Sequence, residues 1–380
     1  MKRNGKATRQ QLKRHNKQLI LRAVYAKLAD NRAALASETG LAKPTVSDIV
    51  SELIDAGFIE EGGHGQSTTS GGKRPRLLNF VPTARQVIGV TMNGNEVVGC
   101  VANLDGSIVT KHYIMPLEHP DTPLMTLLEY VINALIAQLD APLICISVGV
   151  SGMVNNAKGV VISSQVLDWY NVPLSTHLSD HYDVPIYISN NTELATHAQV
   201  AYFNENVEQN LVTVLVNHTI EVGVAYGNRV FHHGGTIDGL RLSTGLRASS
   251  IGWKTIKARA EQLQTDHPDS LLAKQPFTYM YLRYAYNQGD VVAESLVNEI
   301  ASLLGEIYSW IIGLMRPDKI TLAGTLSYIG NPLINGMIAC LGDSLPQHII
   351  EATKFTFDEE INLSIMGAVA NGLQKELGIL

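Results

Sequence analysis

The chain is 380 residues long and 45% hydrophobic, enough for two or three domains with separate cores. Cys100, Cys145 and Cys340 lie far apart with no CxxC pair, which excludes a disulfide framework and a cysteine-rich zinc site and fits a reducing cytoplasm. The net charge of −6 is unevenly spread: residues 1–80 carry 14 Lys and Arg against 7 Asp and Glu, a net +7, and the other 300 carry 15 against 28, a net −13. A basic head on an acidic body suits a polyanion-binding module joined to a part that does not bind nucleic acid. The basic start lacks the apolar run of a signal peptide. No later segment reaches the ~18 uncharged apolar residues needed to span a bilayer, so no membrane partner is expected.

Thr8–Leu28 reads as a helix, with Leu12, Leu19, Ile20, Ala23, Val24 and Leu28 on one face. Asn31–Ala56 then reads as two short helices around a tight turn at Gly40, where glycine takes left-handed dihedrals without a Cβ penalty. In the second helix, Pro44–Ala56, Val46, Ile49, Val50, Leu53 and Ile54 form a buried stripe. Lys43, Thr45, Ser47, Asp48 and Ser51 form the opposite polar face. This is the pattern of a helix-turn-helix whose second helix reads DNA. Ala42 stands where Ser or Thr would be the preferred cap, and Asp48 sets a negative charge on the DNA face.

After Gly57, a strand from Phe58 to Glu61, a Gly/Ser-rich tip and a strand from Leu77 to Phe80 read as the wing of a winged helix. The cluster Lys73-Arg74-Pro75-Arg76 at its base suits phosphates or a narrow minor groove. Lys43, Pro44, Thr45, Ser47, Lys73, Arg74 and Arg76 are therefore the expected contacts to an operator in double-stranded DNA. Residues 1–80 form the head, 81–86 the linker and 87–380 the body.

In the body, Gln86–Cys100 holds two β-rich runs separated by Asn-Gly, a hairpin signal, and Val101–Leu104 reads as a further strand turning at Asp105-Gly106 into Ser107–Ile114. A helix at Leu124–Leu139 precedes the apolar run Leu143–Val150. Further strands are expected at Val184–Ser189, Leu211–Asn217, Gly223–Tyr226 and Lys319–Ala323. Helices are expected at Thr192–Tyr202, Ala293–Met315 and Met366–Leu377. Buried strands alternating with helices, in two sets, indicate a two-lobed α/β body.

Together these segments resemble the ROK family of transcriptional repressors and sugar kinases. The matching stretches are IGVTMNGN at Ile88–Asn95, ISVGVSGMVNNAKGVV at Ile146–Val161, LDWYNVPL at Leu167–Leu174, VPIYISNNTELATHAQ at Val184–Gln199, VTVLVNHTIEVGVAYGNRVFHHGG at Val212–Gly235 and ITLAGTLS at Ile320–Ser327. The resemblance implies a winged helix-turn-helix followed by a two-lobed actin-like ATPase body of ribonuclease H-like topology, with a sugar cleft between the lobes.

The departures from the family pattern bear on activity. The family's first phosphate loop, DxGGT, reads Thr91-Met92-Asn93-Gly94-Asn95. The second, GTGIGxG, reads Asn217-His218-Thr219-Ile220-Glu221-Val222-Gly223. The third reads Ala323-Gly324-Thr325. Side chains stand where the backbone must approach phosphate, and Glu221 adds repulsion. At the family's general-base Asp the chain has Asn191. An amide cannot take a hydroxyl proton at neutral pH, and losing a general base costs ~10²–10⁴-fold in rate. No catalytic residue is therefore assigned.

The family's zinc ligands, a His in GEIGH and three cysteines in CxCGxxGC, have no counterpart in Asp238–Ser243 or Thr244–Ala260. Neither a metal nor a cofactor is expected. His232 and His233 read as surface or cleft residues. What remains for a ligand is Ser151-Gly152 after one strand and Asn190-Asn191 after another, since amides suit hydroxyl recognition without chemistry. The cleft is left to a sugar with altered contacts, another metabolite, or no ligand. The expected function is a sugar-sensing regulator, a repressor acting as a homodimer or dimer of dimers. The alternative is a carbohydrate kinase with an appended DNA-binding head.

Overall fold

A computed structural model describes residues 9–65, 74–94, 96–114, 121–203, 209–227, 229–232, 235–358 and 362–380. The N-terminal part is three helices, α1 (Arg9–Tyr25), α2 (Arg32–Thr39) and α3 (Lys43–Asp55), and a hairpin of β1 (Ile59–His64) and β2 (Arg76–Phe80). The first sheet uses β3 (Gln86–Met92), β4 (Val97–Asn103) and β5 (Ile108–Ile114), with α4 (Leu124–Ile136) leading into β6 (Leu143–Val150). A small sheet follows: β7 (Met153–Asn155), β8 (Val160–Ser164) and β9 (Trp169–Val172). After α5 (Leu174–Ser179) come β10 (Ile186–Asn190) and α6 (Asn191–Tyr202).

The second large sheet begins with β11 (Asn210–Val216), β12 (Ile220–Tyr226), β13 (Arg229–Val230) and β14 (Gly235–Thr236). Helices α7 (Trp253–Asp266), α8 (Tyr279–Asn287) and α9 (Val291–Met315) cover it. The chain closes with β15 (Lys319–Ala323), α10 (Asn331–Leu341), α11 (Gln347–Glu351), β16 (Lys354–Phe357) and α12 (Leu363–Leu377).

The two sheets repeat one plan. In the first, ordered β10-β6-β3-β4-β5, an antiparallel meander of β3, β4 and β5 is extended by β6 and β10 in parallel. In the second, ordered β13-β12-β11-β15-β16, β12 is antiparallel to both β11 and β13, and β15 and β16 follow in parallel. Strands β6 and β15 have the bounds read from the sequence, because an uninterrupted apolar run has only one place to go, a sheet covered on both faces.

Two expectations are corrected. Val101–Leu104 is not a separate strand: β4 continues to Asn103, and Asp105-Gly106 turns directly into β5. The helix after Pro123 stops at Ile136, three residues earlier than expected.

The apolar core of the N-terminal part does not close on itself. Ile20, Leu21, Val24, Leu35, Val46 and Val50 share one buried cluster with Val87, Cys100 and Leu104 of the first sheet and with Ile365, Val369 and Leu373 of α12. Polar contacts follow the same seam. Arg14 donates to the Lys375 carbonyl at 2.9 Å, and Gln18 donates to the Glu376 carbonyl at 3.2 Å. Residues 81–86 contain a 3-10 turn, Pro82–Ala84, in which the Leu104 amide donates to Pro82 and Arg85 donates to Ala56 while lying over the Phe58 ring.

Candidate nucleic-acid interface and effector cleft

Helix α2 starts at Asn31, whose Oδ1 accepts from the Ala33 and Ala34 amides at 3.1 and 3.0 Å, and ends at Gly40 in the left-handed region with φ 69°. The chain then enters α3, whose buried face is Val46, Ile49, Val50 and Leu53. No side chain caps α3, because Ala42 has none to offer, and Pro44 removes one first-turn donor. Lys43, Pro44, Ser47 and Asp48 are exposed and Thr45 is half-buried, so the first turn of α3 faces outward.

Ion pairs brace this surface. Lys13 and Lys17 both reach Glu52 at 2.6 Å, pinning α1 to α3 and holding that carboxyl below its usual range. Glu61 pairs with Arg32 at 2.9 Å and with Arg76. Hydrogen bonds from Arg76 and Arg32 likewise hold the Glu61 carboxyl low. Arg76 is thus already engaged, and a phosphate must compete with Glu61 for it. Arg74 is exposed, and Lys73 lies outside the described residues.

The second region lies where the two large sheets meet. At the β10–α6 junction Asn190 caps α6: its Oδ1 accepts from Thr192 N at 2.7 Å and Glu193 N at 3.2 Å. Its Nδ2 donates at 2.7 Å to the Gly152 carbonyl and at 2.7 Å to Glu221. All four hydrogen-bonding positions of that amide are filled. Asn190 therefore acts as a cap and cross-link rather than an open recognition group.

Asn191 differs. Its Nδ2 donates to the Met92 carbonyl at 3.0 Å and to Ser151 Oγ at 3.2 Å, whereas its buried Oδ1 has no partner among the described residues. A buried acceptor left unmatched costs about 1–3 kcal/mol, which a ligand hydroxyl would recover. Gly152 has φ 122°, and a Cβ there would fall 2.4 Å from the Ser163 carbonyl, so only glycine fits beneath the small sheet.

Glu221 is not aimed at a phosphate, as the sequence reading expected. It is buried and accepts from Asn190, Thr192 Oγ1 (2.8 Å) and Thr219 Oγ1 (3.2 Å), tying β12 to the start of α6. Burial pushes its carboxyl up, against those three donors.

Of the three loops that correspond to phosphate loops, the second and third are hydrogen-bonded to each other, and the first is closed on its own turn. Asn217 Oδ1 accepts from Thr325 N at 2.8 Å, so an amide that would face a phosphate is occupied. The Asn93 amide donates to the Glu96 carbonyl at 3.0 Å, and Asn93 Oδ1 accepts from Glu96 N at 3.1 Å. Thr91, Asn93, Glu96, Asn191, Asn217 and Thr325 line a cavity of about 50 Å³, together with Asp358. Glu96 is part of this lining, and burial pushes its carboxyl up, against a hydrogen bond from Asn93.

No residue from Thr236 to Ala260 is His or Cys, and Asp238 is spent accepting from Ile220 N at 2.7 Å. This segment does not fit the family's zinc. Glu193, two residues after Asn191, is buried, accepts from Asn156 Nδ2 at 2.7 Å and lies 3.9 Å from His232. His232 thus faces the start of α6. His233 lies outside the described residues.

Residues 87–239 match the model of the ROK family. The chain is 23% identical over 341 residues to the xylose repressor of Caldicellulosiruptor bescii, covering 84% of this chain and 85% of that one. A crystal structure of a ROK family transcriptional regulator, described as a homologue of the Escherichia coli Mlc protein, superposes with TM-score 0.77 at 19% identity, over 96% of this chain and 98% of that one. A ROK family glucokinase from Streptomyces griseus, solved with glucose and AMPPNP, superposes with TM-score 0.63 at 17% identity. It covers 75% of this chain and 98% of the kinase. The α/β fold is the sugar-kinase-like fold of these proteins, and this chain carries a ROK family domain.

Proposed function

We propose that this protein is a sequence-specific DNA-binding repressor whose ROK domain senses a sugar or related metabolite and does not transfer phosphate. The observation that carries the reading is the placement of α12. Its first residues, Leu363 and Ser364, line the cavity beside Asn191, and Ser364 Oγ donates to the Asn191 carbonyl at 3.0 Å. Its last residues, Lys375 and Glu376, hold α1, which is pinned to α3. Fifteen helical residues span about 22 Å, so one stiff element joins the cleft to the head.

In this reading residues 1–80 are a winged helix-turn-helix, 81–86 a connecting turn, and 87–380 an actin-like effector and dimerisation body. Lys43, Pro44, Thr45 and Ser47 meet base edges and adjacent phosphates, while Lys73, Arg74 and Arg76 act on the backbone or minor groove. Asn191 is the ligand-facing amide, with Ser151, Gly152 and Asn190 setting its position. Glu96, the Asn217–Thr325 bond and an amide at residue 191 together argue against a kinase. The names of the repressor relatives support the regulatory role.

A homodimer, or a dimer of dimers, in the cytoplasm fits an operator with two half-sites. Trp310 and Leu314 support it: they are 63% and 86% exposed one turn apart on α9, apolar area that a second copy would cover. Sedimentation and DNA selection from random sequence, followed by footprinting of the selected site, test the proposal. A symmetric protected site bound by a dimer is expected. A monomer without sequence preference would refute it.

A further inference from the structure

We propose that Glu129, His177 and His181 form a binding site for a borderline divalent transition-metal ion, with Zn²⁺ the natural occupant of the class. Glu129 is on α4, His177 is on α5, and His181 follows one turn after His177. One ligand atom from each lies within 4.8 Å of the other two. Nothing in the proposed DNA or effector role uses them, and they are unrelated to the Thr236–Ala260 segment.

The donor set suits such an ion. Two imidazole nitrogens and one carboxylate, with water in the fourth position, make an open tetrahedral site. Ligand bonds of about 2.0–2.1 Å require ligand atoms to be roughly 3.3 Å apart. The Glu129 Oε1–His177 Nε2 contact of 2.6 Å must therefore open slightly, and His181 must swing in. An exposed side chain can do this by rotation alone, and His181 is exposed.

The surroundings also prepare the ligands. His181 Nδ1 sits 2.9 Å from the His177 carbonyl, which can only accept. The proton is therefore on Nδ1 and the lone pair on Nε2, the arrangement that outer-shell carbonyls impose on metal-binding histidines. His177 Nε2 faces the Glu129 carboxylate, which the ion would share. The backbone beneath is fixed: Leu128 and Ile132 of α4 and Leu174 and Leu178 of α5 are fully buried in one cluster. Tyr182 Oη donates to Asn133 Oδ1 at 3.2 Å, holding the segment after α5 against α4. Dispersed surface histidines lack this support.

Co²⁺ serves as the probe, because its visible ligand-field absorption reports nitrogen ligation and geometry. The full chain, freed of any polyhistidine tag, is dialysed against micromolar Co²⁺ or Zn²⁺. Retention of one ion per chain is expected, with a four- or five-coordinate Co²⁺ spectrum that Zn²⁺ abolishes. His181→Ala should weaken retention about tenfold or more, and His177→Ala/His181→Ala should abolish it. Because His181 is exposed, its truncation leaves the core intact, and unchanged far-UV circular dichroism confirms this. Absence of retained metal in the wild-type chain would overturn the proposal. So would equal retention by the double variant, since the chain has 12 histidines and another group would then hold the ion.

Discussion

Gly367 of α12 lies against Leu194 of α6 so closely that a Cβ at 367 would fall 1.7 Å from the Leu194 carbonyl oxygen. The neighbour is backbone, so it cannot rotate away, and the two helices must part if the glycine is replaced. Gly367→Ala should cost about 3 kcal/mol, the upper part of the overpacking range, and lower Tm accordingly. Gly372→Ala is the control. Its Cβ would meet the Cys145 side chain at 2.8 Å and Val87 at 3.1 Å, groups with some freedom to shift. Denaturant unfolding of both variants should rank Gly367→Ala well below Gly372→Ala. Equal losses would mean that the α6–α12 contact yields more than its geometry implies.

Phosphoryl transfer should be undetectable. A coupled assay with Mg·ATP over common hexoses, pentoses and amino sugars is expected to show no sugar-dependent turnover. Asn191→Asp should not restore it, because the Thr325 amide remains taken by Asn217 and Glu96 still lines the cavity. Turnover in the ordinary enzyme range of ~1–10³ per second in either protein would refute the non-enzymatic reading.

On DNA, the outward first turn of α3 and the base of the hairpin should separate in their effects. Thr45→Ala is expected to weaken operator binding by about 1–3 kcal/mol with much less effect on random DNA. Arg74→Ala should weaken both and reduce the salt slope by about one unit. Glu61→Gln should leave Arg76 less committed to its ion pair and strengthen binding to random DNA. Anisotropy titrations across a salt series read all three. Equal loss on both DNAs for Thr45→Ala would remove that residue from base readout.

His197 gives a pH prediction. It is buried between α6 and α12 with Nε2 at 2.7 Å from Gln374 Oε1, and burial lowers its pKa below the ordinary 6.5. The unfolded chain therefore takes up a proton near 6.5 while the folded chain does not. Stability is present above that pH and is lost as the pH falls from about 6.5 toward the lowered folded value, by at most about 1.4 kcal/mol per pH unit. His197→Gln should flatten that slope, read by urea midpoints between pH 5 and 8. A slope unchanged by the substitution would assign the effect to other histidines, such as His218, whose burial acts in the same direction.

Legibility in the sequence followed physical regularity. The apolar runs of β6 and β15 and the stripe of α3 could be read directly, since burial on a fixed period leaves a mark on composition. Helix α7 could not: only Ile256, Ala260 and Leu263 are buried along 14 residues that include five charged groups. The strands β7–β9 are too short for an alternation to show. At the cleft, Asn190 and Asn191 were singled out as a pair, but nothing local says that one is spent as a cap and the other keeps an open acceptor. That distinction depends on Glu221, Gly152 and Met92, each remote in sequence. The Asn217–Thr325 bond spans 108 residues, and the Glu129–His177 pair spans 48. Such meetings are properties of topology.

The central claim is that a ligand held at Asn191 controls the head through α12, and operator release measures it most directly. Wild-type protein bound to its selected operator is titrated with a panel of sugars, and the same titration is repeated with Asn191→Ala and with Gln18→Ala, which loosens the α1–α12 seam. A hundredfold difference in ligand affinity between the DNA-competent and released arrangements is worth about 2.7 kcal/mol. At least one sugar is expected to dissociate the wild-type complex. Asn191→Ala should need at least tenfold more of that sugar, and Gln18→Ala should bind the sugar normally yet release DNA less completely. If no sugar alters operator affinity, or if Asn191→Ala responds at the wild-type concentration, the cleft does not govern the head.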